Sequence, residues 1–291
     1  MNSAYTIAAL ACCVISVIGT GDAQERSLAR EIGRTTEREL NVVLSTSFGS
    51  LTVCRGDPEK MIVIETDRTG KDAETFVDYS IKNRIGYADI SLGEERKHDE
   101  GKRGSFNLKD FHKGKWFLKL SDAIPVSFDL ELGVGSGDFN LSGLQVKDFT
   151  LSAGASDVTL AFDEPNTTRI ENISIESGVS KFDGRNLGNA NFRRFRFQGG
   201  VGSYTLDFGG MLKNEVDVDV EIGFGVLTVY IPSDVGARVI YDKSWMSRID
   251  CDEDFHESGS NEYLTDNYRD AAGKMNIRID SGLGSIKIRR R

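Results

Sequence analysis

Residues 195–206 read FRFQGGVGSYTL, and residues 218–229 read VDVEIGFGVLTV. In both, apolar residues alternate with polar ones, a glycine-rich turn intervenes, and the alternation resumes. Five further stretches share the form: VLSTSFGSLTV (43–53), LELGVGSGDFNL (130–141), FTLSAGASDVTL (149–160), ISIESGVSKFDG (173–184) and IRIDSGLGSIKI (277–288). A period of two puts the apolar set on one face of a strand and the polar set on the other. Glycine admits backbone angles that a Cβ forbids, so the chain can turn sharply between the two halves.

Aligned on the second small residue of each turn, the repeats are centred at Gly49, Gly137, Ser156, Ser180, Gly202, Gly225 and Gly284. Two positions earlier stand Ser47, Gly135, Gly154, Gly178, Gly200, Gly223 and Gly282. Four flanking slots per repeat, seven and five positions before the centre and two and four after it, are apolar throughout except at Gly184. The central spacings are 19, 24, 22 and 23 residues, about one solenoid coil each. One such unit cannot bury its single apolar face alone, so units must stack.

The expected fold is therefore all-β: a β-solenoid of stacked ~22-residue coils with Gly turns over 126–291. The 88 residues between Gly49 and Gly137 break the period. Residues 24–125 are read as an irregular β-domain covering one end of the stack, where it protects an open edge. A second break separates Gly225 from Gly284 and holds an inserted loop at 241–270.

Composition narrows the function. The chain has 291 residues, 31 of them Gly and only 4 Pro, with 36 Lys+Arg against 45 Asp+Glu for a net charge of −9. Such an acidic chain is poorly suited to phosphate backbones, so no nucleic-acid partner is expected. Residues 7–18, IAALACCVISVI, form an apolar run followed by GTGDA. Twelve residues are too few to span a bilayer, which takes about 20. The run reads as a signal peptide (1–23) cleaved after Ala23, which would export the chain without a transmembrane helix in its mature form. A lipobox-like Leu10-Ala11-Cys12 is the rival reading of the same segment.

Candidate sites are few. Cys54 and Cys251 would remain after cleavage, an even pair in a compartment that favours either a disulfide or two structural thiols. Gly133-Val134-Gly135-Ser136-Gly137 resembles a dinucleotide loop, but a strand follows it instead of a helix. His98, His112 and His256 sit in no catalytic or zinc-binding pattern. The acidic run at 250–257 reads as a hydrated loop, and no cofactor, metal or catalytic set is read. Asp217, Asp219 and Glu221 alternate on one outward face, and Arg193, Arg194, Arg196 and Arg289-Arg290-Arg291 supply local positive charge. The 241–270 insertion mixes Tyr241, Trp245, Phe255 and Tyr263 with acids. Trp245 and Phe255 are accordingly candidate contact residues, with a lid over the stack as the other reading.

Residues 120–144, 188–210, 221–245 and 281–289 together resemble the bacterial toast-rack family, which is related to the C-terminal domain of LiaF-like cell-wall-active antibiotic response proteins. The resemblance implies a non-enzymatic β-solenoid of the cell envelope. The expected function is a structural or interaction module, with a tie to envelope stress response and an envelope protein or polymer as partner. A carbohydrate- or polymer-binding solenoid, and then a polysaccharide-acting enzyme, are the competing readings; the paired carboxylates of the latter would be visible only in space.

Overall fold

A strand of sixteen or seventeen residues that kept one phase of alternation could bury only one continuous face. The repeats avoid this by losing phase at the turn. In residues 149–160, Phe149, Leu151 and Ala153 are buried at odd positions, then Ser156, Val158 and Leu160 at even ones. The strand bends at that slip, so both halves face a common core. Phe197 before the bend meets Tyr204 after it, ring centroids 5.1 Å apart, and Phe182 of the preceding repeat meets Phe197 at 5.1 Å.

The computed structural model describes residues 27–67, 75–93, 114–242 and 247–291. In chain order the strands are β1 Ser27–Gly33, β2 Glu39–Arg55, β3 Lys60–Thr66, β4 Thr75–Lys82, β5 Ile85–Leu92, β6 Lys115–Leu120, β7 Pro125–Asn140 and β8 Gln145–Ala161. They continue as β9 Ile170–Arg185, β10 Phe192–Asp207, β11 Glu215–Ile231, β12 Gly236–Asp242, β13 Ser247–Cys251, β14 Phe255–Gly259, β15 Glu262–Thr265 and β16 Lys274–Arg290. Among the described residues no helix is long and apolar enough to cross a membrane.

Seven long bent strands stack in parallel in the order β2-β7-β8-β9-β10-β11-β16. Equivalent residues lie side by side, as in Phe195↔Val218↔Ile277 and Leu206↔Val229↔Ile288. This is the expected β-solenoid, and the apolar slots form its core: Leu44, Leu130, Leu151, Ile175, Phe197, Leu206 and Ile279 are inaccessible to solvent. Between rungs the chain returns through short loops held by buried asparagines. Asn166 Nδ2 donates to the carbonyls of Val146 and Ala190 at 2.7 and 3.2 Å, and Asn189 Nδ2 donates to that of Phe162 at 2.9 Å. Each buried amide thus satisfies backbone groups that a loop would otherwise leave unpaired.

Two sequence expectations need correction. In β7 the residue opposite Gly49 is Gly135, not Gly137, and Gly135 in turn faces Ser156. The true centre is two residues earlier, and the central spacings become 21, 24, 22 and 23. A slip of two keeps every side chain on its own face, which is why the pattern alone did not expose it. Gly137 then occupies an apolar slot, and Phe139 closes over it; Leu187 does the same at Gly184.

The second correction concerns residues 24–125. They do not stand apart, because β2 is a full rung paired with β7 from Leu40 to Val53. Beyond β2 comes a rung in two pieces: β5 pairs with its first half and β6 with its second. Antiparallel β4 then covers β5, and β3 and β1 continue from β6. The other end repeats the device. β12 and β13 pair with the two halves of β16, and antiparallel β15 and β14 follow β12. The two breaks in the period are therefore end caps, each made of a split rung and antiparallel strands that close a parallel stack.

Candidate functional site

The candidates from the sequence fall mostly to structure. Cys54 is in β2 and Cys251 in β13, seven strand positions apart along the sheet. At ~4.8 Å per step that is roughly 34 Å, against the ~5.5 Å between Cα atoms that a disulfide spans. The two are not joined. Burial, reinforced by the neighbouring Asp250 carboxylate, pushes the Cys251 thiol up to about 12. A thiol held so high is a poor nucleophile.

Trp245 lies outside the described residues, as do the signal segment, His98 and His112. Phe255 is only 8% exposed, packed under the Arg290 guanidinium at 5.9 Å from its ring. Tyr241 is buried as well, and Tyr263 packs on the core. Phe255 is thus part of a lid and not an open contact. The acidic run and the terminal arginines are committed to the same lid. Arg289 Nη2 reaches Asp250 at 2.5 Å, Arg290 Nε reaches Asp254 at 2.8 Å, and Arg291 pairs with the buried Asp207. Arg290 also donates to the carbonyls of Val235 and Ser233 at 3.0 and 2.9 Å. The Arg289 hydrogen bond and charge hold the Asp250 carboxyl below the usual carboxylate range. The expected surface charge of this arginine cluster is therefore internally neutralised.

What the structure brings together instead is the bend edge of the stack. The residue immediately before each bend centre is apolar in all seven rungs: Phe48, Val134, Ala155, Val179, Val201, Phe224 and Leu283. They are not core. Val134 is 50% exposed, Val179 64%, Val201 45% and Phe224 51%. A β7 centre at Gly137 puts Ser136 at this position and breaks the row; with Gly135 opposite Gly49 and Ser156 the row runs unbroken.

One position further back is the small-residue row, glycine from β7 onward. A Cβ built on Gly223 would lie 2.8 Å from the Gly200 carbonyl oxygen, and one on Gly154 2.7 Å from that of Gly133. The glycines let neighbouring rungs sit this close and leave a furrow lined from β7 onward by glycine backbone beside the mostly buried row of Leu132, Ala153, Ser177, Gly199 and Ile222. Its far wall is a third row, Ser45, Glu131, Ser152, Glu176, Gln198, Glu221 and Asp280, adjacent in register. From Glu131 to Glu221 carboxylates alternate with neutral residues, which relieves the repulsion of like charges directly opposite one another. Glu221 accepts from Gln198 at 2.7 Å and faces Arg196 at 3.4 Å, so it is partly neutralised. Glu131, Glu176 and Asp280 have no cationic partner among the described residues. The groove between the carboxylate row and the small-residue row has a volume of about 950 Å³ and crosses the whole stack; the apolar ridge borders it one residue beyond the glycines, and Phe48, Val134, Ala155 and Val179 line a second concavity on the side of the bend centres. Among the described residues no three His, Cys, Asp or Glu side chains converge to hold a metal.

Comparison with curated proteins gives no match. Among solved structures, a "putative cell adhesion protein" from Clostridium sporogenes ATCC 15579 is similar at 20% identity, covering 92% of this chain and 99% of its own, with a TM-score of 0.45. A "putative adhesin" from Bacteroides fragilis NCTC 9343 is similar at 13% identity over 89% of this chain and 97% of its own, TM-score 0.34. Another from Parabacteroides merdae ATCC 43184 is similar at 10% identity over 92% and 97%, TM-score 0.37. Residues 20–184 match the family model described as the N-terminal domain of toast_rack, DUF2154. That span is more than half of the 291 residues and takes in the end cap, β2 and the first three rungs beyond it, so the chain belongs to the toast-rack family.

Proposed function

We propose that this chain is an exported, non-enzymatic interaction module of the cell envelope, and that it meets its partner along the bend edge of the rack. One observation carries the reading: seven consecutive rungs place an apolar side chain at the same outward position, five of them exposed and Phe48 and Leu283 half-buried, whereas the other outward rows of these rungs are mainly polar or charged. A row of this length that does nothing would be a solubility liability. The apolar run at 7–18 followed by GTGDA supports export, and the family supports an envelope role. Links to envelope stress response rest on the LiaF-like resemblance.

The non-enzymatic reading is supported by the character of the groove. Its carboxylates are exposed on an open surface, whereas a carboxyl that works as a general acid at neutral pH is typically held in a desolvating pocket. The terminal lid, with its neutralised charges, supplies no competing site.

Co-sedimentation of the purified protein with envelope fractions of the native host tests the reading. Val179→Asp and Val201→Asp together place two charges on the edge at exposed positions. Retained folding by circular dichroism with loss of co-sedimentation is the expected result. Unchanged co-sedimentation would remove the bend edge as the contact surface.

A further inference from the structure

The geometry points to a particular class of partner for this edge: a cationic, amphipathic polypeptide segment that lays its apolar stripe on the ridge and its Lys or Arg side chains against the carboxylate row. The inference rests on the edge being the contact surface and adds what the contact recognises.

Dimensions set the first constraint. Six rung-to-rung steps at ~4.8 Å make a straight ridge of roughly 29 Å, the length of a helix of about 19 residues. The carboxylate row precedes the ridge by three residues, about 10 Å along a strand, and a helix with side chains is about 10–12 Å across. One helix lying over the glycine row would therefore span from the groove's carboxylates to the ridge that borders it. The furrow is open to such a body because glycine backbone lines it from Gly133 to Gly282.

Charge sets the second. The ridge is flanked on one side by Glu131, Glu176 and Asp280, none of them neutralised by a cationic partner among the described residues, and the chain carries −9 overall. An apolar stripe bordered by positive charge complements this surface on both counts. An anionic membrane would instead be repelled. A second copy is also a poor occupant, because the unneutralised carboxylate rows of the two copies would oppose each other.

The probe is a synthetic peptide of about 18 residues with Leu on one helical face and Lys on the other. Its binding to the purified protein is followed by fluorescence anisotropy beside two controls of equal length, one all Lys and Gly and one with Glu in place of Lys. The Leu/Lys peptide is expected to bind and the Leu/Glu peptide not to. Phe224→Ser with Val179→Ser, and separately Glu131→Gln with Glu176→Gln, should each weaken binding by about tenfold or more. Binding in the second variant should also lose much of its sensitivity to salt. The proposal is overturned if the Lys/Gly peptide binds as well as Leu/Lys, if either variant pair binds like wild type, or if the Leu/Lys peptide does not bind at all. Concentration-dependent self-association abolished by Val179→Asp would assign the ridge to a second copy and equally overturn it. Should the peptide fail while Val179→Asp with Val201→Asp still abolishes envelope co-sedimentation, the edge remains the contact surface and only the cationic class is wrong.

Discussion

Gly225→Ala tests the stacking itself. Gly225 has φ +147°, and a Cβ there would sit 1.9 Å from the carbonyl oxygen of Gly202 on the next rung. That is more than an ångström closer than real Cβ atoms approach, and the obstacle is backbone that cannot rotate away. Holding an L residue at this φ costs about 1–3 kcal/mol. Relief of the overlap must push two rungs apart and weaken the hydrogen bonds flanking the contact, about 1 kcal/mol for each one lost. Removing glycine's freedom in the unfolded chain returns ~0.4–1 kcal/mol. The net loss expected is about 2–4 kcal/mol, or a Tm lower by roughly 3–8 °C for a chain of this size. Gly33→Ala is the control. Nothing lies within 4 Å of a Cβ at Gly33, so it should match wild type or gain a few tenths of a kcal/mol. Thermal and urea unfolding by far-UV circular dichroism reads both. If Gly225→Ala and Gly33→Ala unfold together, close rung packing at the bend is not what fixes glycine there.

Further outcomes follow from the core, the lid and the thiols. Leu206→Asp puts a carboxylate at a fully buried slot and should cost several kcal/mol, whereas Asp219→Asn on the outer face should stay within ~0.5 kcal/mol; similar urea midpoints would contradict the register. Arg290→Ala removes the Asp254 ion pair, two carbonyl contacts and the cation over Phe255, so hydrogen exchange in β13–β15 should speed up before that of β8–β10 does. Denatured, unreduced protein should titrate with both Cys54 and Cys251 as thiols, and in the native state Cys251 should alkylate slowly at neutral pH because its thiol is held up to about 12. The Asp250 and Glu262 carboxyls are both held low in the fold by Arg289 and Arg238. Their contribution is therefore present above the ordinary carboxylate pKa of ~4 and is lost as pH falls through the lowered folded values; exchange in the lid should rise in acid, and less so in Asp250→Asn.

Much of this protein is legible in its sequence. Period-two alternation broken by small-residue turns dictated bent strands with one apolar face, and near-constant spacing dictated that they stack. These are local constraints, set by side-chain direction and backbone sterics, so residues such as Phe195, Phe197, Tyr204 and Leu206 announce their burial without any partner in view. Register is different. In the run GVGSG at 133–137, centres at Gly135 and Gly137 satisfy the face pattern almost equally, because a shift of two leaves every side chain on its side. Only pairing of Gly135 with Gly49 and Ser156 decides, and the apolar ridge becomes visible only once it has. The same holds for the caps. Nothing along the chain tells that β16 returns between β11 and β12, or that Cys54 and Cys251 are held at opposite ends of the sheet. Nor does it tell that Arg289, Arg290 and Arg291 find Asp250, Asp254 and Asp207. Those are choices among distant partners, set by which surfaces remain unburied once the rungs have stacked, and that is a property of the assembled fold alone.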